Sequence, residues 1–278
     1  MNTTRTRIIA LAAVAALTIG LAPQAALAQQ AAAPKAFPGR ITRTDGQQLQ
    51  GSIRWMPQGR RYVVSVRRPD GQTIDTPVPA GEVRKVEVPK PEKLDAAIRA
   101  VQAGKGSAAI PVLEQIVSQY AMMGWDEPAA RYLAKARIDA GDAAGAIKIC
   151  EDIIKAKPSA AYLGDVAPIY WQALLKTDKQ AKLNELITKA ISNGDRAASA
   201  AALVMRGDIL MEQKQPMEAL KDGYLRAVIL YENVREVQPE ALFKAAKAFE
   251  AVSQNARAEK MRSTLRAKYP KSEYAAKL

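Results

Sequence analysis

The sequence predicts a mainly α protein, in which a small β domain precedes an α-solenoid of about five helical hairpins. Residues 37–90 contain one alanine and 14 Val, Ile or Thr residues, whereas residues 91–278 contain 39 alanines. β-branched residues favour strands and alanine favours helices. Small and large apolar residues also recur along residues 91–278 with the spacing of paired helices. The chain is therefore expected to change from strands to stacked hairpins near residue 90.

The first 28 residues are predicted to be a cleaved secretory signal peptide. Arg5 and Arg7 precede an uncharged apolar run over residues 8–21, and small residues, Ala26 and Ala28, occupy the cleavage-site positions. A permanent transmembrane helix needs about 20 apolar residues, and no later stretch is that long. We expect a mature chain that starts near Gln29, has no transmembrane segment and is soluble in the bacterial periplasm. No cysteine directly follows the cleavage site, because the single cysteine is Cys150, so no lipid anchor is expected.

The composition excludes most hydrolytic mechanisms. The chain contains no histidine and one cysteine, Cys150, so a Ser-His-Asp triad, a Cys-His pair and an HExxH zinc helix cannot form. Cys150 shares a helical face with Ala146, Ile153 and Ile154, and we expect it to be a buried apolar residue rather than a redox or metal ligand. Nucleotide-binding and nucleophile motifs are also missing from the sequence. We expect no enzyme activity, no catalytic residue, no metal and no cofactor.

Residues 29–36 are expected to form a tether, and residues 37–90 a small β domain. Asp45-Gly46 is a strong hairpin turn, and Trp55 ends a run of apolar or small residues at two-residue spacing that marks a half-buried strand. Trp55 is expected in the core, with a ligand-stacking role as the alternative. Five short segments are predicted as strands: residues 39–44, 49–55, 61–68, 72–78 and 84–88. Their number and rhythm resemble an SH3-like barrel, which would leave few open sheet edges.

The β domain also carries the densest positive charge of a chain with a net charge of +13. The candidate residues for a polyanion site are Arg54, Arg60, Arg61, Arg67 and Arg68. An ordinary solvated basic surface is the alternative, because exposed charges contribute little individually. Arginines beside aromatic residues would suit single-stranded nucleic acid, but an exported protein meets anionic lipid, cell-wall polymer or acidic proteins instead. Nucleic acid is therefore not the expected partner.

The helical region is expected to begin at the Val88-Pro89-Lys90-Pro91 segment and to span residues 91–278. Two prolines within three residues stop a strand and suit the first turn of a helix. Beyond them, small residues are expected where the paired helices cross, because larger side chains would separate the helix axes. The predicted crossing alanines on the second helices are Ala109, Ala146, Ala181, Ala219 and Ala258. Each of the five predicted hairpins thus contributes one crossing alanine.

The clearest hairpins resemble tetratricopeptide repeats. One runs from Leu133-Ala134 through the Gly141-Asp142 turn to Ala146 and Pro158, and the last runs from Ala246 to Pro270. Residues 265–275, with the pattern L-x-x-K-Y-P-x-S-x-Y-A, resemble the ending of exported tetratricopeptide proteins of the bacterial envelope. This resemblance implies a non-catalytic scaffold in the cell envelope that binds another protein or peptide.

In that family the first helix of each hairpin lines a concave surface that holds a bound segment. Carried over by register, the resemblance implies these partner-binding residues: Arg131, Lys135, Tyr170, Asp208, Met211, Glu212, Phe243, Lys247 and Glu250. Their charges are mixed, so the partner is expected to be neither purely acidic nor purely basic. The alternative for each residue is an ordinary solvated helix surface. The other function left open is an envelope protein that binds an anionic polymer or lipid surface through the basic β domain.

Overall fold

The computed structural model describes residues 35–193 and 195–278. The predicted signal peptide and residues 29–34 of the predicted tether lie outside these ranges. The described strands are β1 (Phe37–Arg43), β2 (Gln48–Met56), β3 (Arg61–Arg67), β4 (Thr73–Pro79) and β5 (Val83–Glu87). A single 3-10 turn over Ala80–Glu82 joins β4 to β5. The strands and the helices that follow them belong to one compact unit.

The strands form an antiparallel sheet in the order β4-β3-β2-β1-β5. One face buries an apolar core that includes Ile41, Ile53 and Val64, as the two-residue alternation predicts. Trp55 packs on this core beside Tyr62, with ring centroids 4.8 Å apart, so its predicted core position is correct. Over residues 35–193 and 195–278 no ladder joins β4 to β5. The closed SH3-like barrel predicted from the strand count is therefore not formed.

Side chains from the helical region complete the core of the open sheet. Tyr120 and Met123, which follow the second helix, pack against the apolar face of the sheet. Met123 is 2% exposed, and the rings of Tyr120 and Phe37 lie 4.2 Å apart. A sheet whose apolar face is covered in this way needs no closure to exclude water from it.

Two hydrogen bonds fix the sheet to the segment that contains Met123. The Tyr62 hydroxyl donates to the carbonyl of Met122 at 2.7 Å, and the Trp125 indole donates to the carbonyl of Val88 at 3.1 Å. Trp125 also packs against the apolar cluster of the helices that follow, so it anchors the chain that connects β5 to the first helix.

Residues 91–193 and 195–278 form five helical hairpins. The helices are α1 (Leu94–Gln102), α2 (Gly106–Gln119), α3 (Asp126–Asp139), α4 (Ala143–Ala156), α5 (Val166–Leu175), α6 (Gln180–Ser192), α7 (Arg196–Glu212), α8 (Pro216–Glu218), α9 (Leu225–Leu230), α10 (Gln238–Ala251) and α11 (Asn255–Lys268). A π-helical segment, Ala219–Tyr224, connects α8 to α9 without a break, so these form the second helix of the fourth hairpin. Successive hairpins share apolar clusters, and the array is an α-solenoid.

Four of the five hairpins share one turn. The residue two positions before the second helix has a positive φ, and these residues are Gly104, Gly141, Lys214 and Ser253. The next amide donates to the carbonyl five residues earlier, as in Asp142 to Arg137 at 2.8 Å, and the other three such bonds measure 2.8, 2.8 and 2.9 Å. This is the Schellman termination of a helix, which satisfies carbonyls left free at the helix end. A repeated turn at a repeated position shows the internal repetition directly.

The crossing alanines follow from the shared turn. In the same four hairpins the alanine five residues after the positive-φ residue is buried: Ala109, Ala146, Ala219 and Ala258. Ala181 is exposed, so its prediction as the crossing residue of the third hairpin is wrong. That hairpin has a longer connection, the four residues 176–179, where the other four hairpins have three. Its turn is closed by a hydrogen bond from the Thr177 amide to the Leu174 carbonyl, and Leu183, the fourth residue of its second helix, is buried. The turn pattern of the other hairpins therefore does not extend to α5 and α6.

None of the helices in the described ranges combines the length and apolar character that crossing a bilayer requires.

Candidate partner-binding face

The first helices α1, α3, α5, α7 and α10 contact one another in sequence along the array. We call the surface that α3, α5, α7 and α10 form together the first-helix face. It corresponds to the surface that the sequence resemblance implies for a bound partner.

Ion pairs connect successive first helices along this face. Arg131 of α3 pairs with Asp165, which precedes α5. Lys176, which follows α5, lies 3.1 Å from Glu212 of α7. At the far end, a third pair joins α7 to α10: Asp208 to Lys244 at 2.5 Å. Arg131, Asp208 and Glu212 thus bind neighbouring helices, and much of the charge on this face is neutralised within the protein.

A cavity of about 250 Å³ lies on the first-helix face between α3 and α5. Arg131, Tyr132 and Lys135 line one side, and Asp165 and Ile169 line the other. Lys135 belongs to no ion pair among the described residues, so its ammonium adds a positive charge beside an apolar side chain. The cavity can accept a carboxylate next to an aliphatic group.

Tyr170 does not belong to this face. Its side chain is 1% exposed, and its hydroxyl lies 3.1 Å from Glu151 of α4, which Lys182 of α6 also contacts. Burial is the main cause that raises the pKa of Tyr170. The implied partner-binding role of Tyr170 is therefore wrong, because the longer connection of the third hairpin changes the register from which it was inferred.

The remaining implied residues lie towards α10. Met211 is half-buried against the core of the last two hairpins. Phe243 is half-buried, with the Lys247 ammonium 4.7 Å from its ring centroid. Glu250 pairs with Arg262 of α11 in its own hairpin. Of these residues, Phe243 and Lys247 offer the combination of an aromatic surface and an exposed cation.

A polar cluster joins α7, the π-helical segment and α10. Lys244 lies between two carboxylates, Asp208 at 2.5 Å and Glu240 at 2.6 Å, and the Tyr224 hydroxyl donates to Asp208 at 2.8 Å. The side chains of Asp208, Lys244 and Glu240 are 16, 22 and 24% exposed. We call these four residues the α7–α10 cluster. With two carboxylates and one ammonium, the cluster carries an excess negative charge.

The pKa shifts of the cluster agree with this excess. Burial and the charge of Glu240 raise the pKa of Asp208, although Lys244 opposes the rise. The pKa of Lys244 is also raised, because the two carboxylates outweigh the effect of its burial. Burial, followed by the charge of Asp208, raises the pKa of Tyr224. An excess of acceptors disfavours further carboxylate charge and favours hydrogen-bond donors.

Tyr274, which sequence reasoning did not select, also lies on this face. Its ring packs on Phe243 with centroids 5.6 Å apart. Burial, followed by the charge of Glu240, raises its pKa. Tyr274 belongs to the pattern over residues 265–275, but the pattern only marks a repeat ending. Nothing in it indicates that the segment after Pro270 turns back onto α10.

The candidate polyanion residues do not form one patch. Arg54 pairs with Asp75 across β2, β3 and β4. Arg60 and Arg61 are exposed at one end of β3, and Arg67 and Arg68 are exposed at the other. The seven residues of this strand span roughly 20 Å at about 3.3 Å per residue. The two arginine pairs therefore present separate positive ends of one sheet.

Cys150 of α4 is 1% exposed in the core that the second and third hairpins share. Burial raises the pKa of its thiol to about 12, with a smaller contribution from Glu151. The expected role of Cys150 as a buried apolar residue is therefore correct. Within residues 35–193 and 195–278, no group of acidic or cysteine side chains has the arrangement of a metal site.

Comparison with known proteins leaves the family open. No family model matches the chain, and no curated protein is similar to it. Several solved structures of repeat proteins are similar in part. A thermophilic tetratricopeptide protein of Thermus thermophilus, TTC0263, is 16% identical, with a TM-score of 0.46, over 66% of this chain and 95% of that chain.

Two further structures fall in the same range. A putative kinesin light chain of Podospora anserina with tetratricopeptide-like repeats is 18% identical, with a TM-score of 0.43, over 63% of this chain and 92% of that chain. MamA of strain AMB-1 is 18% identical, with a TM-score of 0.35, over 63% of this chain and 95% of that chain. The repeated turns and crossing alanines of this chain, rather than these similarities, establish its hairpin array.

Proposed function

We propose that this protein is a non-catalytic, tetratricopeptide-like scaffold that binds a segment of a partner protein on the first-helix face. The observation that carries this proposal is the series of ion pairs that ties α3, α5, α7 and α10 together. A surface held in place before binding loses little conformational entropy when a partner docks. The cavity beside Lys135 and the Phe243–Lys247 pair supply contact points along the same surface.

The repeat architecture supports the same function. A hairpin cannot bury its apolar surface alone, so the array is stable as a stack and presents a continuous side to a ligand. Because the cavity between α3 and α5 offers Arg131 and Lys135 against one carboxylate, Asp165, its side of the face suits an acidic residue next to an aliphatic one. The partner is therefore proposed to be an extended protein segment with mixed side chains.

Site-specific photocross-linking tests this proposal. A photoreactive residue is placed at Lys135 or Lys247 on the first helices, and at Lys148 or Lys260 on the second helices as matched controls. The proposal expects one partner species to be captured from both first-helix positions and from neither control. With the photoreactive residue at Lys247, the substitution Lys135→Glu should reduce the amount of this species that is captured. Capture of the same species from the controls, or from no position, would contradict it.

The proposed site of action is the bacterial periplasm, which rests on the pattern of the first 28 residues. Expression of the full chain should yield a soluble product in the osmotic-shock fraction whose first residue is near Gln29. The matched variant Arg5→Glu/Arg7→Glu should remain in the cytoplasm with the segment uncleaved. An uncleaved wild-type chain in the cytoplasmic fraction would refute export.

The alternative function is binding of an anionic polymer or lipid surface through the β domain. The exposure of Arg60, Arg61, Arg67 and Arg68 favours it, whereas their division between two strand ends limits simultaneous contact. Replacing the four arginines by serine should abolish such binding and leave partner cross-linking from Lys135 intact. The control replaces four exposed lysines by serine, for the same change in net charge: Lys105, Lys148, Lys221 and Lys260. Counterion-driven binding should also fall steeply with salt.

A further inference from the structure

The segment after α11 turns back across the first helices. Tyr274 packs on Phe243 of α10, and the Lys277 ammonium lies 4.6 Å from the Tyr274 ring centroid. Lys277 and Glu273 are also close enough to Asp139, at the end of α3, to act on its pKa in opposite directions, although burial is the main cause that raises it. Residues 273–277 thus pack on α10. The segment lies on the surface assigned above to the partner.

The hydroxyl of Tyr274 meets the acceptor-rich part of this surface. Burial is the main cause that raises the pKa of Tyr274, the Glu240 carboxylate adds the largest effect of any charge, and Asp208 contributes in the same direction. The α7–α10 cluster has two carboxylates for one ammonium. Because a partly buried carboxylate is stabilised by hydrogen-bond donors, a phenol hydroxyl beside Glu240 satisfies a need that Lys244 meets only in part.

The ring of Tyr274 meets the apolar part. Phe243 offers an aromatic surface, and the Lys247 ammonium lies over that same ring. Aromatic pairs at this separation are favourable beyond the area that they bury. The two halves together form a site for one kind of side chain, an aromatic ring that ends in a hydroxyl. Tyr274 fills that site from within the chain.

We propose that the α10 end of the first-helix face is a tyrosine-recognition site, which Tyr274 of the chain's own C-terminal segment covers until a tyrosine-bearing partner segment displaces it. This inference rests on the proposed function and names the chemistry of the partner. A partner that presents tyrosine competes for Phe243 and Glu240, whereas one that presents phenylalanine gains only the ring contact. Only molecules in which the segment has left the site can bind the partner, so the apparent affinity equals the intrinsic affinity multiplied by the fraction of open molecules.

A peptide-binding experiment on the full chain tests the site without any natural partner. The probe is a fluorescent peptide with the sequence of residues 271–278, and the control probe carries alanine in place of its tyrosine. Tyr274→Ala should bind the tyrosine peptide about tenfold more tightly than wild type, since the Tyr274 side chain no longer competes for the Phe243 ring. Adding Phe243→Ala should abolish the gain. Lys271→Ala, on the same segment, should bind like wild type.

Circular dichroism establishes that each variant is folded. If Tyr274→Ala is unfolded, Tyr274→Phe replaces it and should show a smaller gain, because it keeps the ring and loses the hydroxyl. Equal affinity of wild type and the Tyr274 variant, or equal affinity for the two peptides, would overturn the inference. The two proposals can fail separately. A negative peptide result would leave the cross-links from Lys135 unchanged, whereas absence of those cross-links would refute the proposed function without changing the measured peptide affinities.

Discussion

Gly223 of the π-helical segment packs directly against the backbone of Gly207 in α7. A methyl group added at Gly223 would lie 2.6 Å from the Gly207 nitrogen and Cα, and one added at Gly207 would enter the Tyr224 ring. Both positions are buried. The first and second helices of the fourth hairpin therefore approach more closely than any side chain permits, and this contact positions Tyr224 beside Asp208.

Gly223→Ala should destabilise the protein, because backbone atoms cannot move aside as a flexible side chain can. We expect the free energy of unfolding in urea to fall by about 2 kcal/mol, in the range of overpacked cores. Gly81→Ala is the matched control, since an added methyl group there meets no atom of the described residues within 4 Å. Equal stability of the two variants would show that the fourth hairpin tolerates a wider separation.

Lys244→Met should leave the two carboxylates of the α7–α10 cluster without their ammonium. Removing one member of a buried ion pair costs about 3 kcal/mol, and the loss should appear in urea unfolding at pH 7. The exposed Lys221→Met is the matched control. A loss of the same size in both variants would contradict the structural role of Lys244.

The loss of stability caused by Lys244→Met should depend on pH. The pKa of Asp208 is raised in the folded chain, chiefly by burial, so the folded state holds its proton more tightly than the unfolded state. Its contribution therefore favours folding at low pH and is lost as the pH rises above the unfolded value of about 3.9. Without Lys244 the rise in pKa increases, so the destabilisation should be smaller at pH 4 than at pH 7.

Asp142→Ala should remove the cap of α4. The Asp142 carboxylate accepts a hydrogen bond from the Gly145 amide at 2.8 Å, and an N-cap contributes about 1 kcal/mol. Asp142→Asn keeps an acceptor oxygen and should lose less. An equal loss in both variants would show that the charge of Asp142, and its pairing with Arg137, matters more than the cap.

The contribution of Asp142 to stability depends on pH in the opposite direction from that of Asp208. The Gly145 amide, followed by Arg137, lowers the pKa of Asp142. The folded state releases this proton more readily, so the contribution is present above the unfolded value of about 3.9 and is lost as the pH falls through the folded value. The advantage of wild type over Asp142→Asn should therefore shrink in acid.

Cys150 should not react with iodoacetamide in the folded protein. Burial raises its thiol pKa to about 12, and the thiolate is the reactive form. Intact-mass measurement should show no adduct at pH 8, and one adduct after unfolding in urea. Lys105→Cys provides an exposed thiol as the control. An adduct on Cys150 under native conditions would show that the hairpin core around α4 opens readily.

The sequence predicts most of the array because the hairpins obey a local rule. Gly141 and the alanine five residues later mark a turn and a crossing point that depend only on nearby residues. Lys214 and Ser253 adopt the same positive φ without being glycine. Where the connection is one residue longer, before α6, the local rule fails, and the errors at Ala181 and Tyr170 follow from that one change of register.

The features that the sequence does not predict are long-range contacts. An open sheet could not be foreseen from the strands alone, because Tyr120 and Met123 complete its core from a distant part of the chain. The contact of Tyr274 with Phe243 is hidden for the same reason. The spacing of apolar residues indicates which of them share one face of a helix, but it does not indicate which distant segment of the chain packs on that face.

The contribution of Tyr120 and Met123 to the sheet has a consequence for folding. Residues 37–90 form a small unit, and a small unit buries a smaller fraction of its surface on folding than a large domain does. Two of the side chains that fill its core, Tyr120 and Met123, follow the second helix. Cutting the chain at Pro89 would therefore leave the core of the sheet incompletely packed and expose these two side chains to solvent. The sheet and the first hairpin are therefore expected to acquire their native packing in one cooperative step, each as a template for the other.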